Sequence, residues 1–210
     1  MLPIGVLISG GGSTLENLIQ RTHDGRLAGV RIVQVVSSRS AVRGVEIARA
    51  AGLPLEVVRQ RDFADGAAFS AAIADVLDGA GVELVALGGF LCHWQLPDRY
   101  AWRVLNIHPA LLPDFGGRGM YGRRVHEAVL AAGRRESGCT VHIVDQEYDH
   151  GPIVAQQRVP VLERDTPDTL AARVMAAERE LYPRVIGEVA RRGVAWLRTF
   201  NPPGAAREHP

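Results

Sequence analysis

The chain has 210 residues, 47% hydrophobic and 22% charged, with 24 basic against 23 acidic side chains and a formal charge of +1. That length supports one substantial core, and the even charge excludes a global field that would draw nucleic acid or an anionic membrane, so an anionic ligand must be held by a local site. Two cysteines, Cys92 and Cys139, lie far apart without metal-ligand spacing and predict free thiols in a reducing, cytoplasmic setting; no apolar run approaches the ~18 residues of a membrane span.

The first apolar run, Ile4 to Ile8, reads as a strand and is too short, and lacks the basic start, for a secretory signal. It ends in Ser9-Gly10-Gly11-Gly12-Ser13-Thr14, and a helix is expected from about Ser13, where Ser13 and Glu16 match the S-x-x-E capping box. A strand over Arg31–Val36, a helix around Val42–Ala51, a short strand at Leu55–Val58, a helix over Ala67–Leu77 and a strand at Glu83–Leu87 follow, the last closing on Gly88-Gly89. Strands that are apolar throughout and alternate with helices predict an α/β fold: a Rossmann-like open, mostly parallel sheet with helices on both faces.

After residue 100 the rhythm changes. A strand at Val104–Ile107 carries Asn106 and His108 two residues apart, and Pro109 stops it. A glycine-rich loop from Phe115 to Gly122 leads to a helix over Val125–Ala132, then to strands at Cys139–Val144 and Ile153–Val161. The short connection between these two predicts an antiparallel pair near the C-terminal part. The last helix is marked by Thr166 as cap, Pro167 at its first position and Asp168 in its first turn, with an apolar stripe Leu170, Val174, Leu181, Val185 and Val189. A single domain is expected over residues 1–200, with a phosphate-binding half (1–100) and a catalytic half (101–200), and a flexible tail at 201–210.

Four features carry chemistry. The glycines before Ser13 let backbone N–H groups approach an anion at a helix N-terminus; a tight turn without a ligand is the alternative, and a monophosphate is the preferred one. A dinucleotide fingerprint fails at Leu15 and at Ser37, Ser38 and Arg39, where an acidic residue is needed. Asn106 and His108 share one strand face, as either a satisfied polar pair or a donor and a titratable ring that handle an electrophile. Cys92 and His93, after the fourth strand, are either loop packing or cofactor contacts. Asp149 in Asp149-His150-Gly151-Pro152 is either an Asx-turn acceptor or the partner that raises the pKa of His108 and orients its ring. His142 is in the core, behind the site, or in it, and His150 is expected at the surface. His126-Glu127 begins a zinc motif that fails at Leu130, and no G-x-S-x-G nucleophile elbow occurs, so no metal and no covalent nucleophile are expected.

Taken together, Ile8-Ser-Gly-Gly-Gly-Ser13, Gly89-Phe90, Asn106-Ile-His-Pro-Ala-Leu-Leu-Pro113 and Asp149-His-Gly-Pro152 resemble the folate-dependent formyltransferases over residues 3 to 190, most closely the branch of purine biosynthesis. The resemblance implies transfer of formyl from 10-formyltetrahydrofolate to the amine of glycinamide ribonucleotide, between small-molecule substrates only, by a monomer or homodimer. It implies catalytic roles for Asn106, His108 and Asp149, with protonated His108 and Asn106 stabilising an oxyanion. It also implies phosphate binding at Gly12, Ser13 and Thr14, ribonucleotide binding at Glu178, and folate binding at Leu91, Cys92, His93, Trp94 and Asn106. The family's folate-binding arginine is replaced here by Gly66. The absence of a leading regulatory domain weighs against a formyltetrahydrofolate hydrolase. The lack of a basic C-terminal domain weighs against a tRNA formyltransferase, and the complete Asn106, His108, Asp149 set against a nucleotide sensor on the same fold.

Overall fold

The computed structural model describes residues 1–200, so the expected tail at 201–210 lies outside the described residues. The strands are β1 (Leu2–Ile8), β2 (Val30–Ser37), β3 (Leu55–Val57), β4 (Leu84–Leu87), β5 (Val104–His108), β6 (Glu136–Ile143) and β7 (Ile153–Pro160). They form one sheet in the order β3-β2-β1-β4-β5-β6-β7. The first five are parallel, and β6 and β7 add antiparallel neighbours, as the short connection between them predicts.

Five helices cover this sheet: α1 (Ser13–His23), α2 (Arg43–Ala50), α3 (Gly66–Gly79), α4 (Arg123–Ala131) and α5 (Pro167–Arg192). Their distribution is uneven. Side chains of α1, α2, α4 and α5 join one core cluster, whereas Phe69, Ile73 and Leu77 of α3 share the other with Trp94 and Tyr100. Alternate residues of β1 enter the two cores, Val6 and Ile8 on one side and Leu7 on the other. A strand buried on both faces has to be apolar throughout, which is why its sequence shows no alternation.

The start of α1 differs from the capping box read from Ser13 and Glu16. Gly12 is the N-cap, at φ 72°, with no side-chain cap, and Glu16 instead pairs with Arg43 at 2.7 Å. The left-handed backbone at Gly12 decides this: a Cβ there would lie 2.5 Å from the Cα of Gly44, so only glycine lets the loop pack against α2. The end of the chain follows its pattern closely. Thr166 caps α5 by accepting from the Thr169 N–H, Pro167 opens it, and the stripe from Leu170 to Val189 is buried. The buried Tyr182 hydroxyl of α5 donates to the Leu105 carbonyl at 2.8 Å, tying the helix to the strand that carries Asn106 and His108.

Between β1 and β4 the connections diverge to opposite edges of the sheet. A crevice opens there at the carboxyl ends of the strands, flanked by the glycine loop after β1 and by Gly88-Gly89 after β4.

Candidate active site

That crevice is a cleft of about 750 Å³. Its floor is the end of β5, where Asn106 stands opposite His142 of β6 and His108 opposite Thr140. Asp149 arrives from the β6–β7 connection, at φ 54°, a left-handed conformation that Asp tolerates better than most side chains. Gly151 fixes this turn, since a Cβ there would collide with the Ile143 carbonyl. Three segments distant in sequence therefore converge on one carboxylate.

Asp149 is the hub. Its Oδ1 accepts from Asn106 Nδ2 at 3.3 Å and lies 3.5 Å from His142 Nε2. Its Oδ2 accepts from the Gly117 N–H at 3.0 Å and lies 3.3 Å from His108 Nδ1. Asn106 Nδ2 is also 3.1 Å from His142 Nε2, and His142 Nδ1 is 3.1 Å from the Ile143 carbonyl. Because that carbonyl can only accept, His142 carries a proton on Nδ1, and its Nε2 faces both the Asn106 amide and the Asp149 carboxylate. The carboxylate beside it requires the NH₂ of Asn106 to point inward, so the donor expected for an oxyanion is bound within the cluster in this state.

His108 is likewise engaged. Its Nε2 lies 2.8 Å from the Phe115 carbonyl, with Phe115 itself at a left-handed φ of 56°. Asp149 raises the pKa of His108, as expected of a carboxylate beside the ring, but it is not the largest influence. Burial is the largest influence and pushes the imidazole below its ordinary value, against the upward pull of Asp149 and of the Phe115 carbonyl, with His142 adding to the fall. The neutral ring keeps its proton on Nε2, where the contact is shorter. For Asp149, burial pushes the pKa up, but the His142 contact, the His108 ring and the Gly117 N–H together hold the carboxyl below its ordinary value. The carboxylate thus lies between two imidazoles, and burial disfavours the charged form of the one on His108.

The remaining predicted residues border the same cleft. Gly12, Ser13 and Thr14 form one end, where α1 begins and its first N–H groups lack helical partners. Glu178 stands on the α5 wall in a stripe with Ala171, Val174 and Met175, and enclosure of its carboxyl raises its pKa to about 7. Leu91, Cys92 and His93 form the opposite wall; His93 Nε2 lies 3.0 Å from the Gln146 carbonyl and its ring packs on Tyr148. Trp94 is more deeply committed: its indole N–H donates to the Ser70 carbonyl and its ring packs on Tyr100, so it supports this wall from within the α3 core. Gly66, at the start of α3, lies against Gln95 rather than in the cleft. His150 is at the surface, 3.0 Å from Asp145. Among the described residues no cluster of His, Cys, Asp or Glu is arranged to hold a metal ion, and no helix is long and apolar enough to cross a membrane.

The formyl transferase family model matches residues 3–186. The chain belongs to this family. A chloroplastic phosphoribosylglycinamide formyltransferase of Arabidopsis thaliana is 42% identical over 197 residues, 92% of this chain and 67% of that protein. The bovine trifunctional purine biosynthetic protein adenosine-3 is 41% identical over 89% of this chain, which corresponds to 18% of that longer protein. Among solved structures, glycinamide ribonucleotide transformylase 1 of Symbiobacterium toebii superposes with a TM-score of 0.85 at 38% identity, covering 91% of this chain and 89% of that one. The formyltransferase architecture, a mostly parallel sheet with antiparallel strands toward the C-terminal end, is accordingly the one expected.

Sequence reasoning missed two backbone groups and one side chain. The Phe115 carbonyl and the Gly117 N–H belong to a loop whose glycines announce only conformational freedom. His126 of α4, buried and bordering the cleft, was visible only as part of a failed zinc motif.

Proposed function

We propose that the chain transfers the formyl group of 10-formyltetrahydrofolate to the amine of glycinamide ribonucleotide, a step of purine biosynthesis. The observation that carries this reading is the convergence of Asn106, His108 and Asp149 on the floor of a cleft with a helix N-terminus at one end. The kinship with proteins named for that activity supports it. The phosphate of the ribonucleotide sits at Gly12, Ser13 and Thr14, its ribose beside Glu178, and the folate along Leu91, Cys92 and His93, with Trp94 behind them.

The substrate amine attacks the formyl carbon, forming a C–N bond and placing negative charge on the formyl oxygen. That oxygen takes the His108 Nε2–H from the Phe115 carbonyl, and Asn106 releases one N–H to it. One such donor contributes about 3 kcal/mol to the transition state. The attacking amine passes its proton by way of the Asp149 carboxylate to His108 Nδ1, the one ring nitrogen with a lone pair, and the imidazolium so formed is stabilised by Asp149 across that contact. Cleavage of the bond from the formyl carbon to the folate nitrogen sends that proton to the leaving amine, so charge and atoms balance without a covalent enzyme intermediate.

On this reading residues 1–100 supply the phosphate end, and residues 101–200 the catalytic floor and the α5 wall. The protein works in the cytoplasm, as its unpaired Cys92 and Cys139 suit a reducing compartment, and as a monomer or homodimer. The test is turnover of glycinamide ribonucleotide with 10-formyltetrahydrofolate, with His108→Ala as control. Wild-type turnover lost in the variant is expected. An inactive wild type, or equal turnover in both proteins, overturns the assignment, and formate release without the amine points to a hydrolase.

A further inference from the structure

His126 stands in the second turn of α4 and is 4% exposed, yet it borders the cleft, and among the described residues its Nδ1 has no hydrogen-bond partner. A buried N–H without an acceptor costs more than a buried lone pair without a donor, so the ring proton belongs on Nε2 and the sealed Nδ1 keeps its lone pair. Burial, together with the nearby His108, pushes the pKa of His126 down and keeps it neutral. The ring therefore offers the cleft one uncharged donor. Such a group suits a neutral acceptor such as an amide carbonyl, and is a poor match for a phosphate, which the glycine loop already serves.

Its place along the cleft says which carbonyl. Arg123, one helical turn before His126, is bonded to Asp168 in the first turn of α5. At the other end Asn17 of α1 donates to the Arg179 carbonyl at 2.9 Å, bringing Glu178 toward the phosphate loop. Asp168 and Glu178 are ten residues apart, a rise of about 15 Å along α5. The order along this wall is thus phosphate loop, Glu178, then His126 near the reacting pair, which matches the substrate order of phosphate, ribose, amide and amine.

We propose that His126 is a specificity-determining residue that donates from Nε2 to the amide carbonyl between the ribose and the reacting amine of the ribonucleotide. This rests on the functional reading above. It explains why a polar ring borders the cleft from a helix position flanked by the buried residues Val125 and Val129. The contact fixes the glycyl arm, so that its amine points to the formyl carbon rather than swinging about its single bonds.

Calorimetric titration of the whole protein with glycinamide ribonucleotide and with ribose 5-phosphate, which has no amide, tests it. His126→Leu should weaken glycinamide ribonucleotide by about tenfold and leave ribose 5-phosphate within about twofold of wild type. His126→Gln, whose amide nitrogen reaches the Nε2 position, should recover most of the loss, and the KM for the folate should not move. If the leucine variant does not fold, His126→Asn, whose amide stops at the Nδ1 position, replaces it in the same comparison. Equal weakening of both ligands means a structural role and overturns the inference, as does no weakening of either. A folded wild type that binds ribose 5-phosphate but neither binds nor formylates glycinamide ribonucleotide overturns the functional reading, and the inference with it.

Discussion

Asp149→Asn tests the electrostatic design of the site with little disturbance to its shape. Asparagine tolerates the left-handed backbone at this position, and one oxygen remains to accept from Gly117 or Asn106. What disappears is the negative charge 3.3 Å from His108 Nδ1, between side chains only 11% and 4% exposed. For a full imidazolium that attraction is about 5 kcal/mol at an effective dielectric of about 20. The proton is only partly transferred in the transition state, so about half is lost, roughly a hundredfold in kcat. Steady-state kinetics should show that fall with the KM for the ribonucleotide nearly unchanged, because its proposed contacts at Gly12, Ser13, Thr14 and Glu178 are untouched. The pH profile carries the sign. Removing Asp149 takes away the largest upward influence on the His108 pKa, so the acid limb of kcat/KM moves to lower pH. A kcat within about threefold of wild type, or an acid limb that stays in place, would refute the assignment of Asp149 as the charge that supports His108.

Two further outcomes follow from the cleft's ends. Gly12→Ala places a methyl group 2.5 Å from the Gly44 Cα at a left-handed φ, so the loop has to move away from α2; the KM for the ribonucleotide should rise at least about tenfold in steady-state assays while the folate KM holds. Glu178→Gln should alter the pH dependence of stability. Burial raises the carboxyl's pKa to about 7, so the folded protein binds a proton more tightly than the unfolded chain, and stability falls as pH rises from about 4.5 to 7. By thermal melts without ligand, the variant should match wild type near pH 5 and exceed it at pH 8, and equal melting at both pH values would refute the burial of that charge.

Much of this protein is legible in its local sequence. The uniform apolarity of the first strands reports burial on two faces, Pro109 ends β5 after His108, and Thr166-Pro167-Asp168 starts α5. Each is a local rule, settled within a few residues by backbone sterics or hydrogen bonding. The pairing of Asn106 with His108 on one face is equally local, since alternate strand residues point the same way. The start of α1 shows where local reading stops. Ser13 and Glu16 have the spacing of a capping box, yet the approach of Gly44 from α2 imposes a left-handed glycine there and leaves Glu16 to Arg43.

The amino-acid sequence by itself determined the fold class, the glycine loop between the first strand and the first helix, and the three side chains that meet on the floor of the cleft. Only the tertiary structure decided their chemical state. Whether His108 is charged depends on burial by elements far along the chain, set against a carboxylate 41 residues away, and burial wins. Which way the Asn106 amide faces depends on His142 and Asp149 together, and the engagement of His108 Nε2 depends on one loop carbonyl. The physical reason is that proton affinity and donor direction are properties of a three-dimensional field. They are summed over neighbours that sequence spacing does not reveal.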